Sequence, residues 1–390
     1  MTTSLLLTVS LSLAASSAFA QPQAPTAVDP ILAHFREFRA ALDRGDAAAA
    51  ERALDASTAV NGPKTAALAL NLATLRLDLG KPTAAYAPAK RAYELATADA
   101  TAGVDPLMAA LALGRAQLAV EGANGATLLG ETIAQAERRG DLHSEAYSAA
   151  VDLARTSFTL GQYETARSAW ATSARLAAGS PNDPAVARGL AHTGEGAAIF
   201  MQAVKQGERR PNRAGVPITV IDASAVRDAN AAFTEALDLL QPAVDEEADG
   251  GDESALTLAP GAYAQALAWQ GALRAKLQSQ GDDLPRAEYR GRTAPGATAR
   301  CAVRLVAEPA PTYPSDALLA SGFGAVVMRI RTDAQGAVVE RQIAAAIPQG
   351  SFSEAVAAVA DEWRVEVAAD LAPGCRLDGT RYTSILFVAE

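Results

Sequence analysis

Apolar positions along the first three-quarters of the chain recur with a helical period. Leu68, Leu72, Leu75 and Leu79 stand at i, i+4, i+7 and i+11. The same spacing returns in Leu107, Leu111, Gly114 and Leu118, and in Tyr147, Val151, Ala154 and Phe158. It lays each set along one face of a helix. Each of the three helices ends near a glycine (Gly80, Gly122 and Gly161), and an alanine-faced helix follows each one. The period stops between Gly281 and Ala299, amid Pro285, Gly291, Pro295 and Gly296, which marks a domain boundary. Beyond it the pattern is that of strands: Ala325 to Arg331, a turn over Thr332–Gly336, Ala337 to Ile343, and a last run from Arg381 to Val388. Between the second and third of these, Phe352, Val356, Val359 and Trp363 fall on one face of a helix predicted over Phe352–Trp363.

The helices come in pairs with a common turn. Leu160-Gly161-Gln162-Tyr163-Glu164-Thr165-Ala166 runs on through Trp170 to Ala178. This unit resembles a tetratricopeptide repeat, and the resemblance puts Gly161 in the tight turn and Tyr163, Ala166 and Trp170 at the inter-helix contact. Gly80 with Ala85, Ala89 and Ala92 looks like a weaker copy, and Gly45 with Ala50 and Leu54 like a third. Gly45 and Gly80 are 35 residues apart, close to the repeat period of about 34. The later spacing drifts to about 40 residues, so the array is degenerate, and an irregular helical bundle is the alternative reading.

The order of parts at the C-terminal end carries a second resemblance. Tyr313-Pro314, a helix start at Asp316-Ala317-Leu318-Leu319, Gly322-Phe323-Gly324, a strand, an Asp333-x-x-Gly336 turn, a strand, the Phe352–Trp363 helix and a final strand follow one another. This order resembles the C-terminal domain of TonB-family proteins over roughly the last fifth of the chain. The chain departs from that pattern in lacking a proline after Trp363 and in carrying a Cys375-bearing loop from Ala372 to Thr380. The resemblance implies a three-stranded antiparallel sheet with Ala325–Arg331 in the middle. It also implies that a partner peptide, such as the TonB box of an outer-membrane transporter, adds as a strand to Thr383, Ser384, Ile385, Leu386, Phe387 and Val388. Arg381 and Tyr382 then stand at the mouth of that edge to hold an acidic or polar flank. One face of the strand packs on the Trp363 helix and the other meets the ligand.

Leu5 to Ala15 form a short apolar run followed by Ala18-Phe19-Ala20, an export-signal pattern with cleavage after Ala20, although the run has no Lys or Arg before it. It is shorter than the roughly 20 residues that span a membrane, so the mature chain is expected to have no spanning helix. The expected organisation is therefore a signal peptide over 1–20, a flexible start over 21–30, an all-α tetratricopeptide-like domain over 31–280, a linker over 281–299 and a small α+β TonB-C-terminal-like domain over 300–390. The chain's two cysteines, Cys301 and Cys375, both fall in the last domain. In an exported protein such an even pair favours a disulfide, which would stabilise the domain by about 4 kcal/mol in the chain-entropy model.

The net charge of −10 argues against nucleic acid or an anionic membrane surface as the main partner. The basic stretch Gly207–Val220, with Arg209, Arg210 and Arg213, reads as a solvated loop. Asp245-x-Glu247-x-Asp249-Gly250 opens like a calcium loop, but its twelfth position is Leu256 instead of a bidentate carboxylate. His34, His143 and His192 lie on separate helices without partners at ligand spacing. No Gly-x-Ser-x-Gly elbow or phosphate-binding Gly-x-x-x-x-Gly-Lys loop occurs. The expectation is a protein-binding adaptor of the periplasm without catalytic residues, metal or cofactor. The alternative is a component of a TonB-type energy transducer, acting through an anchored partner.

Overall fold

The computed structural model describes residues 30–59, 65–99, 101–211, 217–248, 258–282, 303–314, 323–367 and 377–388. The expected leader, residues 283–299 of the expected linker, both cysteines (Cys301 and Cys375) and the Asp316–Leu319 helix start lie outside these residues. Contacts divide the chain after Arg139 into two compact units.

The first unit holds α1 (Pro30–Asp43), α2 (Ala47–Thr58), α3 (Thr65–Asp78), α4 (Pro82–Ala98), α5 (Pro106–Glu121) and α6 (Ala123–Arg139). Gly45 and Gly80 turn α1 into α2 and α3 into α4 with left-handed φ angles of 70° and 68°, a conformation that costs a side chain dearly. At Gly80 the glycine N–H donates to Leu77 O and the next N–H, of Lys81, reaches back to Arg76 O. At Gly45 the equivalent bonds go to Leu42 O and Ala41 O. This closes the last helical turn in the Schellman manner. Five residues past each glycine stand Ala50 and Ala85, both fully buried, and the absence of bulk there lets the paired helices approach. Helix α3 is apolar all round because it serves two layers. Leu68, Leu72 and Leu75 pack with Phe38 and Leu54 of the first pair. Ala69, Leu70, Ala73 and Leu77 pack with the alanines of α4 and α5. Leu79, the last of the predicted stripe, is exposed.

The second unit opens with α7 (His143–Thr159), α8 (Tyr163–Arg175), α9 (Pro184–Gln206), α10 (Ala223–Ala248) and α11 (Leu258–Ser279). Gly161 repeats the turn: φ is 69°, its N–H donates to Phe158 O, and that of Gln162 to Ser157 O. Ala166, again five residues on, is fully buried. Trp170 is buried, but not beside Tyr163: its indole lies flat on Gly194 of α9, where an added Cβ would come within 2.3 Å of the ring. Tyr163 instead meets Phe158 edge-on at 5.3 Å. The basic stretch predicted as a loop contains an antiparallel strand pair, the exposed β1 (Glu208–Pro211) with the half-buried β2 (Pro217–Val220). Its short run of cross-strand bonds was masked in the sequence by three arginines and two prolines.

After α11 come β3 (Val303–Val306), β4 (Phe323–Thr332), β5 (Val338–Ile347), α12 (Ser351–Ala357), β6 (Arg364–Val367) and β7 (Gly379–Val388). The larger sheet is three-stranded and antiparallel in the order β5-β4-β7, as expected, and a second small ladder joins β3 to β6. Asp333 shapes the β4–β5 turn by accepting the N–H groups of Gln335 and Ala337 on one carboxylate oxygen. The predicted Phe352–Trp363 helix is shorter than its apolar stripe. Helix α12 ends at Ala357, and a 3₁₀ turn over Ala360–Glu362 carries the chain on to Trp363. Phe352, Val356 and Trp363 still share one buried face, and the Trp363 indole donates to Pro309 O at 2.8 Å.

Strand β4 is buried on both faces. Val326, Met328 and Ile330 face α12 with Trp363. Ala325 and Val327 face α11, whose Ala264 and Ala268 cover Val327. A Cβ on Gly271 would sit 2.7 Å from that of Ala325, so backbone and sheet touch almost directly. The helices α9, α10 and α11 and the start of β4 thus share one core.

Candidate peptide-binding edge

Strand β7 ends the β5-β4-β7 order, so among the described residues β4 is its one strand neighbour. The register runs from Phe323↔Val388 through Val327↔Ser384 to Thr332↔Gly379. This fixes the direction of every site residue, since alternate side chains point to opposite faces. Ile385 and Phe387 turn toward α12, where the Phe387 and Phe352 ring centroids are 4.5 Å apart. Leu386 and Val388 turn the other way and pack against the core shared with α9, α10 and α11. Ser384 is exposed and Thr383 half-buried.

Tyr382, expected at the mouth of the edge, meets Tyr263 of α11 edge-on at 5.6 Å. The Arg381 guanidinium is turned into the domain, donating to Thr332 Oγ1 at 2.6 Å and to Leu377 O at 2.8 Å. The expectation that one face of β7 is free to meet a ligand is therefore corrected: α11 covers it. The small stripe Ala264, Ala268 and Gly271 makes that cover possible. Tyr263 and Gly271, which position the strand from behind, were the residues missed. Among the described residues no strand pairs with the outer side of Thr383–Val388, and an edge strand presents a row of N–H and C=O groups there.

The sheet beneath is stiffened by charge. Arg329 is about 1% exposed, and its Nη1 donates to Glu340 Oε1 at 3.1 Å, while Arg331 Nε reaches the other oxygen at the same distance. A buried cation of this kind depends on its carboxylate, since removing one partner leaves an uncompensated charge. Burial also holds the Lys276 amine below its ordinary range, with Nζ 5.7 Å from the centroid of the Phe323 ring, and pushes the Tyr313 phenol up. Among the described residues no three His, Cys, Asp or Glu side chains converge as metal ligands would, and no helix is long and apolar enough to cross a membrane.

No protein-family model and no curated protein matches the chain. Among solved structures, a tetratricopeptide repeat protein from Parabacteroides merdae is similar at 13% identity over 61% of this chain and 99% of that one, with a TM-score of 0.22. That superposition is too loose to carry fold or function across. The repeat character of the helices rests on their own geometry, the same turn and the same buried alanine at Gly45, Gly80 and Gly161. The class so defined is a helical-repeat protein that ends in a small α+β sheet domain. Folds of this kind serve as scaffolds for protein partners.

Proposed function

We propose that the protein is an exported, periplasmic adaptor that takes an extended peptide of a protein partner onto the outer edge of β7 by strand addition, with the helical pairs as its scaffold. The observation that carries this reading is the edge strand β7, anchored by Ile385 and Phe387 on one face and by Leu386 and Val388 on the other. Backbone pairing to such a strand needs no particular partner sequence. The resemblance of the last fifth of the chain to the TonB C-terminal domain suggests the TonB box of an outer-membrane transporter as the peptide. The engaged side chains of Arg381 and Tyr382 leave recognition to the backbone of Thr383–Val388. Catalysis has no part in the proposal.

Hydrogen–deuterium exchange of the intact protein with a TonB-box peptide tests it. Protection should appear at Thr383–Val388; protection confined to the helices would move the ligand site to the repeat array. Export is tested by fusing the first 25 residues to alkaline phosphatase, which should become active outside the cytoplasm. In the exported protein Cys301 and Cys375 should be disulfide-linked. Two alkylatable thiols in the native, unreduced protein would sink that pairing.

A further inference from the structure

Helix α4 carries a buried proline, Pro88, in its interior. Proline has no backbone N–H, so the carbonyl four residues earlier, Ala84 O, loses the donor that a helix would give it. Arg76, near the end of α3, supplies one: its Nη1 donates to Ala84 O at 3.0 Å. The same guanidinium reaches back to the preceding helix pair. Its Nε donates to Glu51 Oε1 of α2 at 2.9 Å, and its Nη2 stands 3.5 Å from the Asp55 carboxylate. Lys81 Nζ donates to the other Glu51 oxygen at 2.7 Å. Glu51 is thus held from both sides of the Gly80 turn, and the bonds from Lys81 and then Arg76 keep its carboxyl below the ordinary range.

The other two turns of the same build lack both the proline and the arginine. Arg76 stands four residues before Gly80, and Pro88 eight after it. The corresponding residues are Ala41 and Ala53 around Gly45, and Ser157 and Ala169 around Gly161. Ala53 and Ala169 keep their N–H groups, so no carbonyl there needs a substitute donor, and Ala41 and Ser157 are too short to provide one. A guanidinium carries five donors in a planar fork, enough to serve a carbonyl and a carboxylate at once. The Arg76 and Glu51 side chains are each 17% exposed, so water screens their pairing less than that of a surface pair. What the bonds close over is an apolar seam, Phe38 and Leu54 of the first pair against Leu68, Leu72 and Leu75 of α3.

We infer that Arg76 is a latch built around Pro88. It gives Ala84 O the donor that the proline withholds and, with the same group, holds Glu51. The α1/α2 pair therefore stays closed on α3 while the guanidinium is engaged, and opens as a unit when it is lost. This conformational device is independent of the β7 edge.

Hydrogen–deuterium exchange of the intact chain reads the latch helix by helix. Arg76→Met keeps the apolar stem and removes the donors. Exchange should rise at least tenfold in α2 and over Pro82–Ala89 of α4, while α6 keeps its rate. In Arg76→Lys a single ammonium can face Glu51 but cannot also serve Ala84 O, so α2 should stay protected and α4 should loosen. Pro88→Ala returns an N–H to Ala84 O, and in that background either Arg76 substitution should leave α4 unmoved. Glu51→Gln should loosen α2 alone. Circular dichroism checks helix content; should Arg76→Met lose it, Arg76→Lys and Glu51→Gln decide. Wild-type exchange of α4 in Arg76→Lys, or of α2 in Glu51→Gln, overturns the inference. An α4 response to Arg76→Lys that persists beside Pro88→Ala overturns it as well.

Discussion

At the scale of single residues the structure turns on contacts too close for a methyl group. Gly194 faces the Trp170 indole and Gly324 the Phe352 ring, where an added Cβ would come within 2.4 Å. Trp170→Ala should therefore cost about 3–5 kcal/mol as a large core truncation, measured as a shift in denaturation midpoint. A change below about 1 kcal/mol would mean that the indole is not packed on α9. Lys276 makes the opposite case. It lies almost fully buried beside Phe323, and burial has lowered its pKa. A base whose folded pKa is depressed opposes folding most at pH values below that pKa. The penalty fades as pH rises toward its unfolded value, about 10.4. Lys276→Met should thus be more stable than wild type at pH 7, with the gap closing by pH 10. A gap that persists unchanged would assign the gain to packing instead of charge.

Among the elements, α11 decides how the sheet is held. Gly271→Ala puts a methyl group 2.7 Å from that of Ala325 and should cost about 1–3 kcal/mol by overpacking. Gly261→Ala in the same helix meets nothing within 4 Å and should stabilise it by up to about 1 kcal/mol through helix propensity. Paired chemical denaturation of the two variants separates the effects; equal responses would deny that α11 lies against β4. The elements themselves were largely legible. Stripes such as Leu107, Leu111 and Leu118 gave helices, and the Asp333–Gly336 turn between alternating runs gave the β4–β5 hairpin. What the pattern could not show is which partner a face meets. Ala325-Val326-Val327-Met328 is a continuous apolar run, which allows burial on both faces, but the second cover comes from a helix more than 40 residues away in sequence. Four-residue strands such as β3 and β6 are likewise too short to declare a period. The β7 edge was legible as a strand and as an edge, whereas the engagement of Arg381 and Tyr382 depends on Thr332 and Tyr263, which only folding brings near.

For the molecule as a whole, contacts place α7 to α11 and the sheet in one compact unit. A chain ending at Asp282 would expose the stripe Ala264, Ala268 and Gly271. It should lose amide protection in α11, bind a hydrophobic dye and melt below the intact protein, as read by exchange and calorimetry. An unchanged melting profile for the helices would instead mean that the sheet is an independent appendage. The small-residue seam between α11 and β4 also bears on how such a protein can be rearranged. A sheet that shows bulk to its neighbour can be grafted onto many hosts, because side chains on either side adjust. A sheet whose back presses almost against bare backbone fits one host helix only. Anyone transplanting the strands of this protein would have to move Leu258–Ser279 with them, so the portable cassette begins inside the helical array.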